Sequence, residues 1–195
     1  SWDVEAWIAD MRREGVGATT LYQSVQLLRQ MLSDAARHRM IPADPTAGVR
    51  IPTPPKHVDR FLTRPEYETL SGCLPTERDR VIVALMALAG LRWGEVAGLH
   101  SHRVDLERGQ VTVVEVMQRN RQVKGVPKSR AGQRIVPLVP ELRISLEPFC
   151  GGGLLFPDVD YTNWRRRVFV PARDAAGLVD PQPTPHDLRH SFGSW

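Results

Sequence analysis

The sequence predicts a mainly α chain carrying a small antiparallel β-sheet (α+β). Three observations predict it. Apolar residues recur at helical spacing through both ends of the 195 residues, two β-branched stretches lie between them, and five prolines between 41 and 60 part the first helices from the rest.

Each element has a local reason. DVEAWIADMRR (3–13) sets Val4, Ile8 and Met11 at helical spacing with Trp7 alongside, and Gly15 and Gly17 interrupt the pattern. Thr19 or Thr20 can cap a second helix, with Tyr22, Val25, Leu28, Met31 or Leu32, and Ala35 as its stripe. IPADPTAGVRIPTPPKHVDR (41–60) has no periodicity, and its prolines forbid helix and stiffen an extended path. The expected organisation is a helical domain over 1–51, a linker over 52–60 and a second domain over 61–195.

Thr63 and Glu66 form a T-x-x-E capping box that opens a helix to about Gly72. Thr76 caps TERDRVIVALMALAG, which ends at Gly90. VIVALMALAG (81–90) reads as a buried core helix and is too short to span a bilayer. LRWGEVAGL (91–99) is a further short helical segment. QVTVVEV (110–116) and QRIVPL (133–138) are strand-like and flank a long basic connection, which predicts a hairpin-type sheet. After Gly151 to Gly153 and LLFP, NWRRRVFVPARDAAG (163–177) returns to helix. Thr184 as N-cap and Pro185 at the first position open a closing helix, expected to continue to Trp195.

The net charge is +4, from 26 Lys and Arg against 22 Asp and Glu, which suggests an anionic partner. Residues 1–55 hold six of each sign, so the excess lies downstream. Cys73 and Cys150 sit in no CxxC and beside no His, which argues against a disulfide framework or a zinc site and for a reducing, intracellular setting. No signal peptide opens the chain and no membrane partner is expected. A first residue Ser1 and a last residue Trp195 inside predicted helix suggest a piece of a longer chain.

Three sites carry chemistry. Arg92 follows a glycine-terminated apolar helix, and Glu95, one turn on, is close enough to orient its guanidinium; the alternative is an ordinary i,i+3 surface pair. RNRQVKGVPKSRAGQR (119–134) holds six basic residues, Arg119, Arg121, Lys124, Lys128, Arg130 and Arg134, and no acid. Like charges crowded into one loop are relieved by a polyanion. In PHDLRH, His186 and Arg189 share one helix face, so an imidazole and a guanidinium can address one phosphate, whereas His190 is expected to face elsewhere. His100 and His102 (HSH) read as a polar helix exit.

In this order, GLRWGE, then PKSRAGQRIVPL, then TPHDLRHSF resemble the tyrosine recombinase (phage integrase) family, and the resemblance covers nearly the whole chain. It implies a helical core-binding domain followed by that family's catalytic domain, both truncated. Matching the family motifs, Arg92, Lys128, His186 and Arg189 are implied as catalytic and Glu95 as supporting. Lys128 is preferred over Lys124 because the family's lysine stands just before the turn into a strand ending in VPL. Asp44-Pro45 takes the place of the family's usual Asn-Pro.

The resemblance further implies a site-specific recombinase that cuts and rejoins double-stranded DNA through a 3′-phosphotyrosyl link. No metal, other cofactor or ATP is implied, and the expected assembly is a homotetramer on paired DNA sites in the cytoplasm of a bacterial host. Arg119, Arg121, Lys124, Arg130, Arg134, Arg165, Arg166 and Arg167 are the expected DNA contacts, with Thr19, Thr20 and Arg29 on the first domain. The family's nucleophilic tyrosine follows the His-x-x-Arg pair. Tyr22, Tyr67 and Tyr161 all precede it, so the fragment alone is expected to be inactive. Two other readings stay open: a non-cleaving DNA-binding relative and a type IB topoisomerase.

Overall fold

The computed structural model describes residues 2–51, 53–54, 60–118, 121–125 and 133–194. The chain divides into two compact units, residues 1–58 and 59–195.

In the first unit, α1 (Trp2–Arg13) and α2 (Ala18–Arg37) bury Val4, Ile8, Leu21 and Val25 together with Val49. Helix α2 starts earlier than expected. Gly17 is its N-cap without a side-chain bond, so Thr19 and Thr20 lie inside the first turn. The buried stripe is correspondingly offset: Leu21 takes the core position expected of Tyr22, while Met31 is exposed. Past α2, Asp44 accepts hydrogen bonds from the Thr46 amide at 2.8 Å and the Thr46 hydroxyl at 2.6 Å. This is an Asx-type turn, which asparagine would make equally well. Arg29 donates to the Val49 carbonyl at 2.6 Å, so it braces this unit.

The second unit is built round α4 (Glu77–Leu88), whose residues from Val81 to Leu88 are all buried. A helix apolar on every side needs neighbours on every side. Those neighbours include α3 (Arg64–Gly72), α5 (Trp93–Ala97), α6 (Pro140–Leu146) and α9 (Pro185–Phe192). The Thr63–Glu66 capping box forms on α3, Thr76 caps α4 by accepting from the Asp79 amide, and Thr184 with Asp187 boxes α9. Helix α9 ends at Phe192 with Gly193 as C-cap, short of Trp195, which lies outside the described residues.

β1 (Val104–Asp105), β2 (Gln110–Val113) and β5 (Arg134–Pro137) form one antiparallel sheet in the order β1-β2-β5, with Val111 opposite Val136 and Val113 opposite Arg134. The stretch 110–116 is not one strand. It breaks at Val114, and β3 (Glu115–Met117) pairs instead with β4 (Val123–Gly125) as a separate hairpin. The break has a cause on α5. A Cβ at Gly94 would lie 2.8 Å from Val116 Cγ1, and one at Gly98 would lie 2.7 Å from the Met117 amide nitrogen. The backbone of β3 therefore rests on a glycine face of α5, which draws it away from β2. The region 163–177 is helical as expected, through α7 (Tyr161–Trp164), a π-helical stretch Arg165–Phe169 and α8 (Val170–Ala175). Among the described residues no helix is long and apolar enough to cross a membrane.

Candidate active site

Residues from three separate parts of the second unit meet in one cavity of about 740 Å³: Arg92 at the start of α5, Arg134 on β5, and His186, Arg189 and His190 on α9. Two features make the meeting possible. Gly90 adopts φ +62°, and a Cβ there would stand 2.6 Å from Cδ1 of Phe192. With no side chain at Gly90, α9 packs directly on the turn between α4 and α5. The Gly90 carbonyl then accepts from Arg189 Nη1, which binds α9 to that turn.

Glu95 organises the charges. Its carboxylate is 2% exposed and accepts from Arg134 at 2.7 and 2.9 Å, a bidentate pairing, and from Arg92 Nη1 at 3.1 Å. The Arg92 amide adds a bond at 2.8 Å, and Arg189 Nη1 stands 3.8 Å away. Burial pushes the Glu95 carboxyl up, but Arg134 and Arg92 more than offset this and hold it below the ordinary glutamate range. Three guanidinium charges against one carboxylate leave an excess of two positive charges facing the cavity. Arg92 is the most open of the three, its side chain 57% exposed, so its remaining donors face solvent. For Arg189, burial and the neighbouring Arg92 charge lower the pKa, which marks a cation whose surroundings favour an added anion.

The same surroundings favour the neutral form of His186. Burial lowers its pKa first, and the charges of His190, Arg189 and Arg92 act in the same direction, opposed by Asp187. An imidazole whose neutral form is favoured is suited to accepting a proton. His190 does not face elsewhere: its ring meets the His186 ring edge-on, with centroids 4.5 Å apart. His190 follows His186 by four positions on one helix, and that spacing puts them on a shared face.

The basic connection is less uniform than its sequence suggests. Arg134 is the main partner of Glu95, and Arg121 pairs with Asp158 at 3.0 Å. For these two arginines the acid comes from another segment. Lys124 is exposed on β4, while Lys128, Arg119 and Arg130 lie outside the described residues. Arg165, Arg166 and Arg167 are exposed on the π-helical stretch and do not line the cavity. His100 is no simple helix exit, since its Nδ1 stands 2.7 Å from Glu115, which also accepts from Arg103.

His190 is the site member that motif reading placed wrongly, and the pairing of Arg134 with Glu95 is one it missed. For Arg134 a signal existed: strand alternation sets it on the same face as Val136, a core residue. Tyr67 is buried. Tyr161 packs its ring on Trp93 at 5.2 Å and lines a neighbouring cavity of about 670 Å³ that shares His186. Trp93 also stacks on Trp164, whose indole N–H donates to Asp79 at 2.8 Å, so an aromatic group backed by a buried acid braces α5.

The tyrosine recombinase XerA of Thermococcus kodakarensis is 32% identical, over 96% of this chain and 64% of that protein. The tyrosine recombinase XerD of Proteus mirabilis is 26% identical, over 98% of this chain and 64% of the relative. The chain thus spans just under two thirds of the length of these relatives. The Tn1549 transposon integrase, solved in complex with a circular intermediate DNA, shares the fold at a TM-score of 0.80 and 16% identity, over 97% of this chain and 70% of that one. A lambda integrase dimer bound to a COC′ core site gives a TM-score of 0.68 at 22% identity, over 97% of this chain and 55% of that one. Residues 60–195 match the sequence profile of the phage integrase family, and the chain belongs to that family.

Proposed function

We propose that this chain is the core of a site-specific DNA recombinase that breaks and rejoins duplex DNA through a covalent 3′-phosphotyrosyl intermediate. One observation carries the reading: Arg92, His186 and Arg189, distant in sequence, line a single cavity with an excess of positive charge. In-line attack on a phosphodiester builds negative charge on the nonbridging oxygens, and two guanidinium groups on a rigid frame stabilise it as it forms. His186, neutral near physiological pH, accepts the proton of the attacking tyrosine hydroxyl. Lys128 protonates the departing 5′-oxygen. The phosphodiester energy is kept in the tyrosyl link, so resealing needs no nucleotide. The nucleophile follows Arg189 in chain order, and two pairs of protomers on paired sites carry out exchange in the cytoplasm. Exposed Arg165 to Arg167 and Lys124 supply salt-dependent affinity for the DNA backbone.

The test uses the full parent chain on a suicide DNA substrate. Covalent attachment to the 3′-phosphate is expected, and Arg92→Ala or Arg189→Ala should abolish it. Normal attachment by either variant refutes the assignment. Binding without attachment by the unaltered parent selects a non-cleaving relative, and relaxation of supercoils without two-site exchange selects a topoisomerase.

A further inference from the structure

The residues that open the second unit are fastened to the helix bearing His186 and Arg189. Arg60 donates to the Pro181 carbonyl at 3.3 Å, just ahead of α9, and pairs with Glu66 at 2.5 Å. The Leu62 amide donates to Ser191 Oγ at 2.8 Å in the interior, and the Ser191 hydroxyl donates in turn to the Asp187 carbonyl at 2.8 Å. Between these two anchors stands Phe61, 49% exposed. Its ring meets the His190 ring at 6.4 Å and 78°, and His190 meets His186 at 4.5 Å and 85°.

An exposed aromatic needs a reason to be ordered, and here two backbone anchors on either side supply it. Edge-to-face contacts fix ring orientation as well as distance. We propose that Phe61 and His190 are positioning residues for His186, forming with it a series of three edge-to-face rings that residues 60–62 hold against α9. The series sets the direction in which the His186 imidazole meets the reacting oxygen. Neither Phe61 nor His190 touches the phosphate in this role. The assignment rests on the proposed role of His186, but its first test needs neither DNA nor a nucleophile.

The charged groups facing His186 are Asp187, Arg189 and His190 on α9 and Arg92 on α5, with Arg121 and Tyr161 on the rim of the neighbouring cavity. Burial is the largest influence on its titration. In residues 1–195 carrying ring-labelled histidine, Phe61→Ala should free the His190 ring that meets His186 and so raise the His186 titration midpoint towards that of a free histidine. Phe61→Tyr, which keeps the ring edge, should leave it in place. His190→Ala should raise it further, because both cover and charge are lost. A purely structural Phe61 predicts a lower melting temperature with the His186 midpoint unmoved. That outcome, in protein with a native circular dichroism spectrum, overturns the proposal. In the full parent chain Phe61→Ala should slow cleavage about two- to ten-fold, the equivalent of one aromatic pair, with KM for DNA unchanged. A shifted midpoint in a parent that never cleaves upholds the ring series and removes the recombinase reading instead.

Discussion

Glu95 and Glu115 lie twenty residues apart and both clasp cations, yet only one lies at a site. Glu95 is 2% exposed and gathers arginines from three elements, α5, β5 and α9. Glu115 is 17% exposed and holds one arginine and one histidine from the single segment 100–103. Both carboxyls are held below the ordinary range, in each case because hydrogen bonds from cations outweigh burial. The difference is in the remainder. Around Glu115 the one guanidinium is matched by the one carboxylate, and the result is a clasp between β3 and the turn before β1. Around Glu95 the carboxylate orients more positive charge than it cancels. An anion site of this kind needs an acid for geometry and a surplus of cations for affinity.

The largest effect that separates the two should come from Glu95→Gln. Removing a buried charge from beneath three guanidinium groups is expected to cost about 3 kcal/mol of unfolding free energy, at the low end for a broken buried pair because the cavity admits water. Urea unfolding measures it. Inorganic phosphate should restore part of the loss, since a bound anion replaces the missing one, and it should stabilise the variant more than the parent. A loss that phosphate leaves untouched would reduce Glu95 to a packing residue. The same carboxyl fixes a pH dependence. Its native pKa lies below the ordinary glutamate value of 4.5, so its contribution is complete above that value and disappears as pH falls through the native one. The acid limb of stability should flatten in Glu95→Gln.

A smaller effect tests how the surplus is held. Arg134→Lys keeps the charge but loses the planar fork that meets both Glu95 oxygens at 2.7 and 2.9 Å. A point charge cannot replace two parallel donors. About 1.5 kcal/mol of stability and roughly ten-fold in phosphate affinity are expected to be lost. Unchanged binding by calorimetry would show that Arg134 only neutralises Glu95.

The helices that frame the site were legible because their signals are local. Thr63–Glu66, Thr76 and Thr184–Pro185 each announce a helix start through a hydroxyl and a nearby amide, and each forms where it reads. The family of the chain was legible for another reason: three short motifs occur in a fixed order. What the sequence hid depends on partners distant along the chain. Nothing next to Arg134 says that Glu95, 39 residues earlier, will claim its guanidinium. Nothing within QVTVVEV says that Gly94 and Gly98 will pull β3 off the first sheet. Helical spacing did offer His190, four residues after His186, but reading it only against Arg189 concealed the match. What was missed at the site is the pairing of side chains, Arg134 with Glu95 and His190 with His186, and such pairings carry no motif.

The smallest effect should come from Glu115→Gln. At 17% exposed the carboxylate is screened by water, and its partners His100 and Arg103 are themselves 27% and 35% exposed. Pairs of this kind are worth about 1 kcal/mol or less. The amide can still accept one bond from Arg103, so the clasp keeps part of its geometry. Stability should fall by less than about 1 kcal/mol, and phosphate affinity should not change, since none of these three residues lines the cavity. Were Glu115→Gln to weaken phosphate binding as much as Arg134→Lys, the charge count that separates the two carboxylates would be wrong. Affinity would then follow the field of the whole domain, and the three arginines around Glu95 would have no special claim to the phosphate.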